Sequence, residues 1–160
     1  MKYRDTIKFF AFLLFALILF AKQVSQESIT GVVSKVVDGD TIHLKTADEV
    51  IKVRLNCIDA PEKKQRFGQE ATEALKEWVL GQVVKVEALG TDRYKRKIGV
   101  VYRDDQEINL IMVKSGLAWN YKEYCDDERY AKAQEIARKA RLGLWRDRKP
   151  IYPSDYRHKK

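Results

Sequence analysis

The chain has 160 residues, 45% of them hydrophobic, and a formal net charge of +8 at pH 7. That is enough for one domain with a substantial core, too little for two, and it excludes a chain disordered throughout. Two cysteines and two histidines exclude a zinc cluster, while the basic balance suits either a polyanionic partner or plain solubility.

Residues 1–8 are polar and positive, residues 9–21 are unbroken apolar sequence, and Lys22 returns to polar composition. A basic segment followed by an apolar run of this length is the pattern of a secretory signal. The run is shorter than the roughly 20 apolar residues a membrane-spanning helix wants. Leu19 and Ala21 match a small-x-small cleavage site only at the second position, so residues 1–25 read as a signal peptide or an uncleaved signal anchor. The protein is expected to be exported, either secreted or periplasmic, with membrane anchoring through residues 9–21 as the alternative.

A compact domain is expected over residues 26–146. Residues 29–37 are valine-rich and read as a strand ending in the turn Asp38-Gly39-Asp40. Residues 41–46 and 49–58 alternate in polarity and give two more strands, so the first three form an antiparallel meander. Cys57 falls on the apolar side of the third, where a buried free thiol and a disulfide to Cys125 both stay open. Over residues 65–80 the period changes, and Ala71, Ala74, Leu75, Trp78 and Val79 recur at helical spacing before Gly81. Residues 83–89 and 97–102 are strands, 109–114 a short helix closed by Gly116, and 126–142 a third helix closed by Gly143. Trp78, Trp119 and Trp145 read as core aromatics. Residues 147–160 form a basic tail with Pro150, Pro153, Tyr152 and Tyr156. The fold class is α+β, and five strands with three helices fit a five-stranded Greek-key barrel of the OB type, one of several α+β arrangements the periodicity allows.

Charged residues gather beside turns in three places: Asp38-Gly39-Asp40-Thr41, Arg54 through Glu62, and Asp92-Arg93-Tyr94-Lys95-Arg96. Singly, each has an ordinary explanation: a hairpin turn, a solvated strand face, a solvated loop. Together they supply a phosphodiester chemistry. Carboxylates and carbonyls hold hard cations, and arginine forks stabilise the extra charge on a pentacoordinate phosphorus. His43 and His158 suggest neither a ligand pair nor an acid–base role.

In this order and spacing, with Gly116-Leu117-Ala118-Trp119 following, the motifs resemble those of the staphylococcal nuclease family from about residue 29 to 145. The resemblance implies a calcium-dependent endonuclease that hydrolyses phosphodiester bonds of DNA and/or RNA as a monomer. It implies that Asp40, Asp59 and the Ala60 carbonyl ligate Ca2+, Ala60 standing where the family often has threonine. It further implies that Glu62 activates the attacking water and that Arg54 and Arg96 stabilise the transition state. Arg93, Tyr94, Tyr121 and Tyr124 resemble substrate-binding residues, the tyrosines stacking on bases. One departure stands out: Lys95 occupies a position usually held by glycine, and would be strained if that backbone needs positive φ. The competing readings are a catalytically inactive nucleic-acid-binding barrel and an anchored envelope protein with a structural role.

Overall fold

The computed structural model describes residues 27–158. The expected export segment therefore lies outside the described residues, as do Lys159 and Lys160. In chain order the strands are β1 (Glu27–Asp38), β2 (Thr41–Lys45), β3 (Val50–Leu55), β4 (Ile58–Asp59), β5 (Val83–Thr91), β6 (Lys97–Arg103), β7 (Gln106–Glu107) and β8 (Trp119–Asn120). The helices are α1 (Gly68–Val79), α2 (Ile108–Lys114), α3 (Glu128–Lys139) and α4 (Pro153–His158).

The expected meander is present: β1 pairs with β2 and β2 with β3, all antiparallel. β1 also pairs with β5, and β5 with β6. Parallel pairing of β3 with β6, Val53 opposite Lys97 through Leu55 opposite Gly99, closes five strands into the OB-type barrel. β1 pairs with β5 over its first half, Glu27 to Val32, and with β2 over its second, Val32 to Asp38, where the register shifts between Val33 and Lys35 and again between Val36 and Asp38. Such bulges bend a strand and increase its twist. They also explain why the valine run does not alternate cleanly in sequence.

Val33, Ile42, Leu44, Val53, Leu55, Val84, Val86 and Val101 fill the barrel, with Leu75 of α1, Met112 of α2 and Tyr130 of α3 packed against them. A smaller cluster joins Ala137, Leu144 and Trp145, with Phe67 and Trp119 at its edge.

Three expectations need correction. The third strand stops at Leu55 rather than residue 58, because Cys57 takes a left-handed φ of 65° and its carbonyl accepts a hydrogen bond from the Tyr121 amide at 2.9 Å. Cys57 therefore lies in a turn, not on a strand's apolar face, and of the two states left open for its sulfur the structure has the disulfide to Cys125. The described residues contain four helices rather than three, since the tail forms α4, with Pro153 buried. Helix α1 begins at Gly68 because Phe67 before it is left-handed, with φ 67°.

Asn109, completely buried in the first turn of α2, fastens the seam where the barrel closes. Its side-chain oxygen accepts from the Val101 amide at 3.0 Å, and its amide nitrogen donates to the carbonyls of Asn56 at 2.9 Å and Gly99 at 3.1 Å. Removing it strands backbone groups at the end of β3 and along β6. Asn109→Ala is expected to cost about 3 kcal/mol, read as a lower urea midpoint with unchanged slope.

Candidate functional site

The turn between β1 and β2 is pressed against the segment after β4. A Cβ on Gly39 would stand 2.6 Å from the Ala60 Cβ and 2.9 Å from the Ala71 Cβ, so only glycine lets these backbones meet. This contact brings Asp40 to the Ala60 amide, which donates to Asp40 Oδ2 at 3.0 Å. Gly68 does the same for Glu62: a Cβ there would fall 1.8 Å from the Glu62 carbonyl oxygen. Gln65 completes that corner, its side-chain oxygen accepting from the Glu62 amide at 3.1 Å.

Arg54, near the end of β3, ties the carboxylates together. Its Nη2 lies 3.1 Å from both Asp40 Oδ2 and Asp59 Oδ1, while Nη1 donates to the carbonyls of Leu55 and Ile58, each at 2.8 Å. Asp59 sits on the short β4–β8 ladder opposite Trp119, with its side chain 1% exposed. Burial pushes its carboxyl above the usual range, the nearby Asp40 charge adds to this, and Arg157 and Arg54 oppose it. Asp38 is raised to about 6, by burial first and then by Asp40.

Across the cleft, the loop after β5 is shaped by Asp92. Its Oδ1 accepts from the amides of Tyr94 at 2.8 Å and Arg96 at 2.9 Å, and its Oδ2 accepts from Arg96 Nε at 2.7 Å. Burial alone would raise the Asp92 carboxyl, but these bonds from Arg96 and Tyr94 hold it below its ordinary value. The Tyr94 ring lies 4.8 Å from the Arg93 guanidinium and 5.5 Å from that of Arg96. Lys95 has φ 62°, the left-handed conformation its position demands of a residue with a side chain.

Tyr121 and Tyr124 form an edge-on pair with centroids 4.7 Å apart. The Cys57–Cys125 disulfide joins their loop to the turn carrying Cys57, two residues before Asp59. Burial, then the charge of Asp59 and the neighbouring Tyr124, pushes the Tyr121 phenol up.

All ten residues singled out from sequence, Asp40, Arg54, Asp59, Ala60, Glu62, Arg93, Tyr94, Arg96, Tyr121 and Tyr124, line one open cleft of about 890 Å³. Sequence reasoning passed over three others there. Asp38 was read only as a turn residue, and Asp92 as part of a basic loop. Arg157, from α4, reaches Asp59 Oδ2 at 3.1 Å and Glu62 Oε1 at 2.9 Å; nothing in the basic tail distinguishes it from its neighbours. His43 stands between Lys35 and Lys52 across strands, away from the cleft.

Among the described residues no group of three or more histidine, cysteine, aspartate or glutamate side chains is gathered to hold a metal. The donor chemistry at Asp40 and Asp59 fits a hard cation in kind, since both offer carboxylate oxygen, while the guanidinium groups of Arg54 and Arg157 occupy those oxygens here.

A profile described as "Staphylococcal nuclease homologue" matches residues 52–147. The chain belongs to the staphylococcal nuclease family. Among its relatives, an uncharacterized endonuclease of Haemophilus influenzae is 48% identical over 134 residues, 83% of this chain and 75% of that protein. An uncharacterized endonuclease of Escherichia coli O157:H7 is 40% identical over 145 residues, 90% of this chain and 95% of its own. A micrococcal nuclease of Shigella flexneri is 39% identical over 144 residues, 82% of each.

Two outcomes follow from this geometry. Lys95→Gly removes a left-handed side chain and is expected to raise stability by about 0.5–1 kcal/mol, measured by denaturant unfolding. Replacing both Cys57 and Cys125 with alanine is expected to cost about 2–4 kcal/mol, seen as a lower melting temperature than the oxidised parent.

Proposed function

We propose that this nuclease is an exported, calcium-dependent endonuclease that hydrolyses the phosphodiester bonds of DNA and RNA as a monomer. The observation that carries the reading is the meeting of two carboxylates, a third acid and two arginines around one cleft, although they come from separate turns.

Asp40, Asp59 and the Ala60 carbonyl would hold the calcium ion, which supplies positive charge beside the scissile phosphate. Glu62 orients a water and takes its proton as the water oxygen attacks phosphorus and the ester bond to the leaving oxygen breaks. Arg54 and Arg96 donate to the phosphoryl oxygens as their charge grows. Arg54 has a second duty, since it also holds Asp40 and Asp59. Arg93 offers a further cation to the backbone. Tyr94 and Tyr124, 62% and 66% exposed, present open rings on which bases can stack irrespective of sequence.

Export is supported by the apolar run at residues 9–21 and by the disulfide, a bond that persists in oxidising compartments. An extracellular calcium concentration in the millimolar range suits a ligand set this small and open. The segment over residues 1–25 serves as the export signal or, if retained, as a membrane anchor.

The test is cleavage of plasmid DNA and of RNA by the purified chain with calcium or with a chelator. Cleavage is expected with calcium and not with chelator. Glu62→Gln and Arg96→Ala should each lower kcat by about 10²-fold or more. Arg54→Lys, which keeps a charge beside the buried aspartates, should do the same without unfolding the barrel. Binding without cleavage in every condition would instead identify an inactive nucleic-acid-binding barrel, and full function in Glu62→Gln an anchored structural protein.

A further inference from the structure

The tail is fastened to the barrel at several points before it reaches the cleft. Gln65 Nε2 donates to the Ile151 carbonyl at 2.7 Å. The Tyr152 ring packs edge-on against Trp119, centroids 5.0 Å apart, and lies 6.3 Å from Tyr121. Pro153 is buried. Helix α4 then delivers Arg157 onto both oxygens of Asp59, Nη1 at 3.3 Å from Oδ1 and Nη2 at 3.1 Å from Oδ2, with Nη1 also 2.9 Å from Glu62 Oε1.

Both oxygens of Asp59 are thus engaged by guanidinium. One oxygen faces both Arg54 and Arg157, and the other faces Arg157. A divalent cation needs a lone pair from that carboxylate and repels any guanidinium held against it. One of the two arginines has to give way. Arg54 is anchored by two backbone carbonyls, and its side chain is 14% exposed. Among the described residues Arg157 is held by carboxylates alone, and its side chain is 41% exposed. Arg157 is the one free to move.

We propose that Arg157 is a built-in competitor of the metal: its guanidinium neutralises Asp59 and Glu62 in the metal-free protein and is displaced from Asp59 when calcium binds, so that it sets the calcium concentration the site requires. The attachments through Ile151, Tyr152 and Pro153 keep α4 in place, so the switch is a side-chain movement rather than loss of the tail. This inference rests on the calcium reading above.

The experiment is calcium titration calorimetry on chelator-stripped wild type, Arg157→Gln and Arg157→Lys, with melting curves in chelator and in calcium. Arg157→Gln is expected to bind calcium about three- to tenfold more tightly, with Arg157→Lys between it and wild type. It should also melt lower than wild type in chelator, because Asp59 and Glu62 lose their counterion, and gain more from calcium. Calcium affinity unchanged or weakened in a cooperatively melting Arg157→Gln overturns the competitor role alone. Failure of wild type and both variants to bind calcium overturns the metal assignment itself, and the competitor role with it.

Discussion

Two aspartates held by one guanidinium set the geometry on which the whole cleft depends. Asp40 lies at the turn into β2, and Asp59 belongs to β4, outside the barrel ladder. Neither strand pairing obliges them to meet. Arg54 joins them because its own position is fixed by the carbonyls of Leu55 and Ile58 on either side of the Cys57 turn. The same residue would be poorly placed if β3 ran on to residue 58, since the Ile58 carbonyl could not fold back toward it. The left-handed turn at Cys57 is therefore part of the site, and the barrel's contribution is to present β3 at the correct height beside β2.

The cost of that geometry is visible in the electrostatics. Asp59 is almost wholly buried and Asp38 partly so, and burial raises both carboxyls. At Asp59 cations oppose the penalty: Arg157 from the tail and Arg54 from within the barrel. A buried carboxylate whose partner is removed retains its desolvation penalty without compensation. Either Asp59 keeps a guanidinium against it or something else of positive charge takes that place. Of its two arginines, Arg54 is anchored by backbone carbonyls and nearly buried, whereas Arg157 is the more exposed.

Most of this architecture was legible in the sequence, and the reasons differ by element. Barrel strands could be read because one face is buried and the other solvated, as Ile42 and Leu44 against His43 and Lys45 illustrate, whereas bulged β1 was legible from its valine content. Helix α1 was legible from Ala71, Leu75 and Val79, but its start was not: Phe67 is left-handed, and nothing in a single sequence marks a phenylalanine for that conformation. The site residues were legible through motif order and spacing rather than through physics alone, since each motif singly passes for a turn or a solvated face. The disulfide stayed open because pairing depends on where the Tyr121–Cys125 loop folds, a tertiary contact between residues 68 apart. Arg157 was invisible for a related reason. Six residues of α4 carry no period long enough to detect, and the basic tail around them reads as solvated charge.

Several contacts that the sequence does not disclose are links between the barrel and segments outside it. The disulfide fastens the Tyr121–Tyr124 pair to the Cys57 turn, Gln65 connects the Glu62 corner to Ile151, and Tyr152 packs on Trp119, the ladder partner of Asp59. The barrel determines how far apart the acids stand, because strand spacing and register leave little freedom. The links determine which way the acids and aromatics face, because each acts within two or three residues of a side chain lining the cleft. Periodic burial writes the first kind of information into every strand, so it can be recovered from composition along the chain. The second kind rests on single contacts between distant residues. It becomes readable only once the barrel has brought them together.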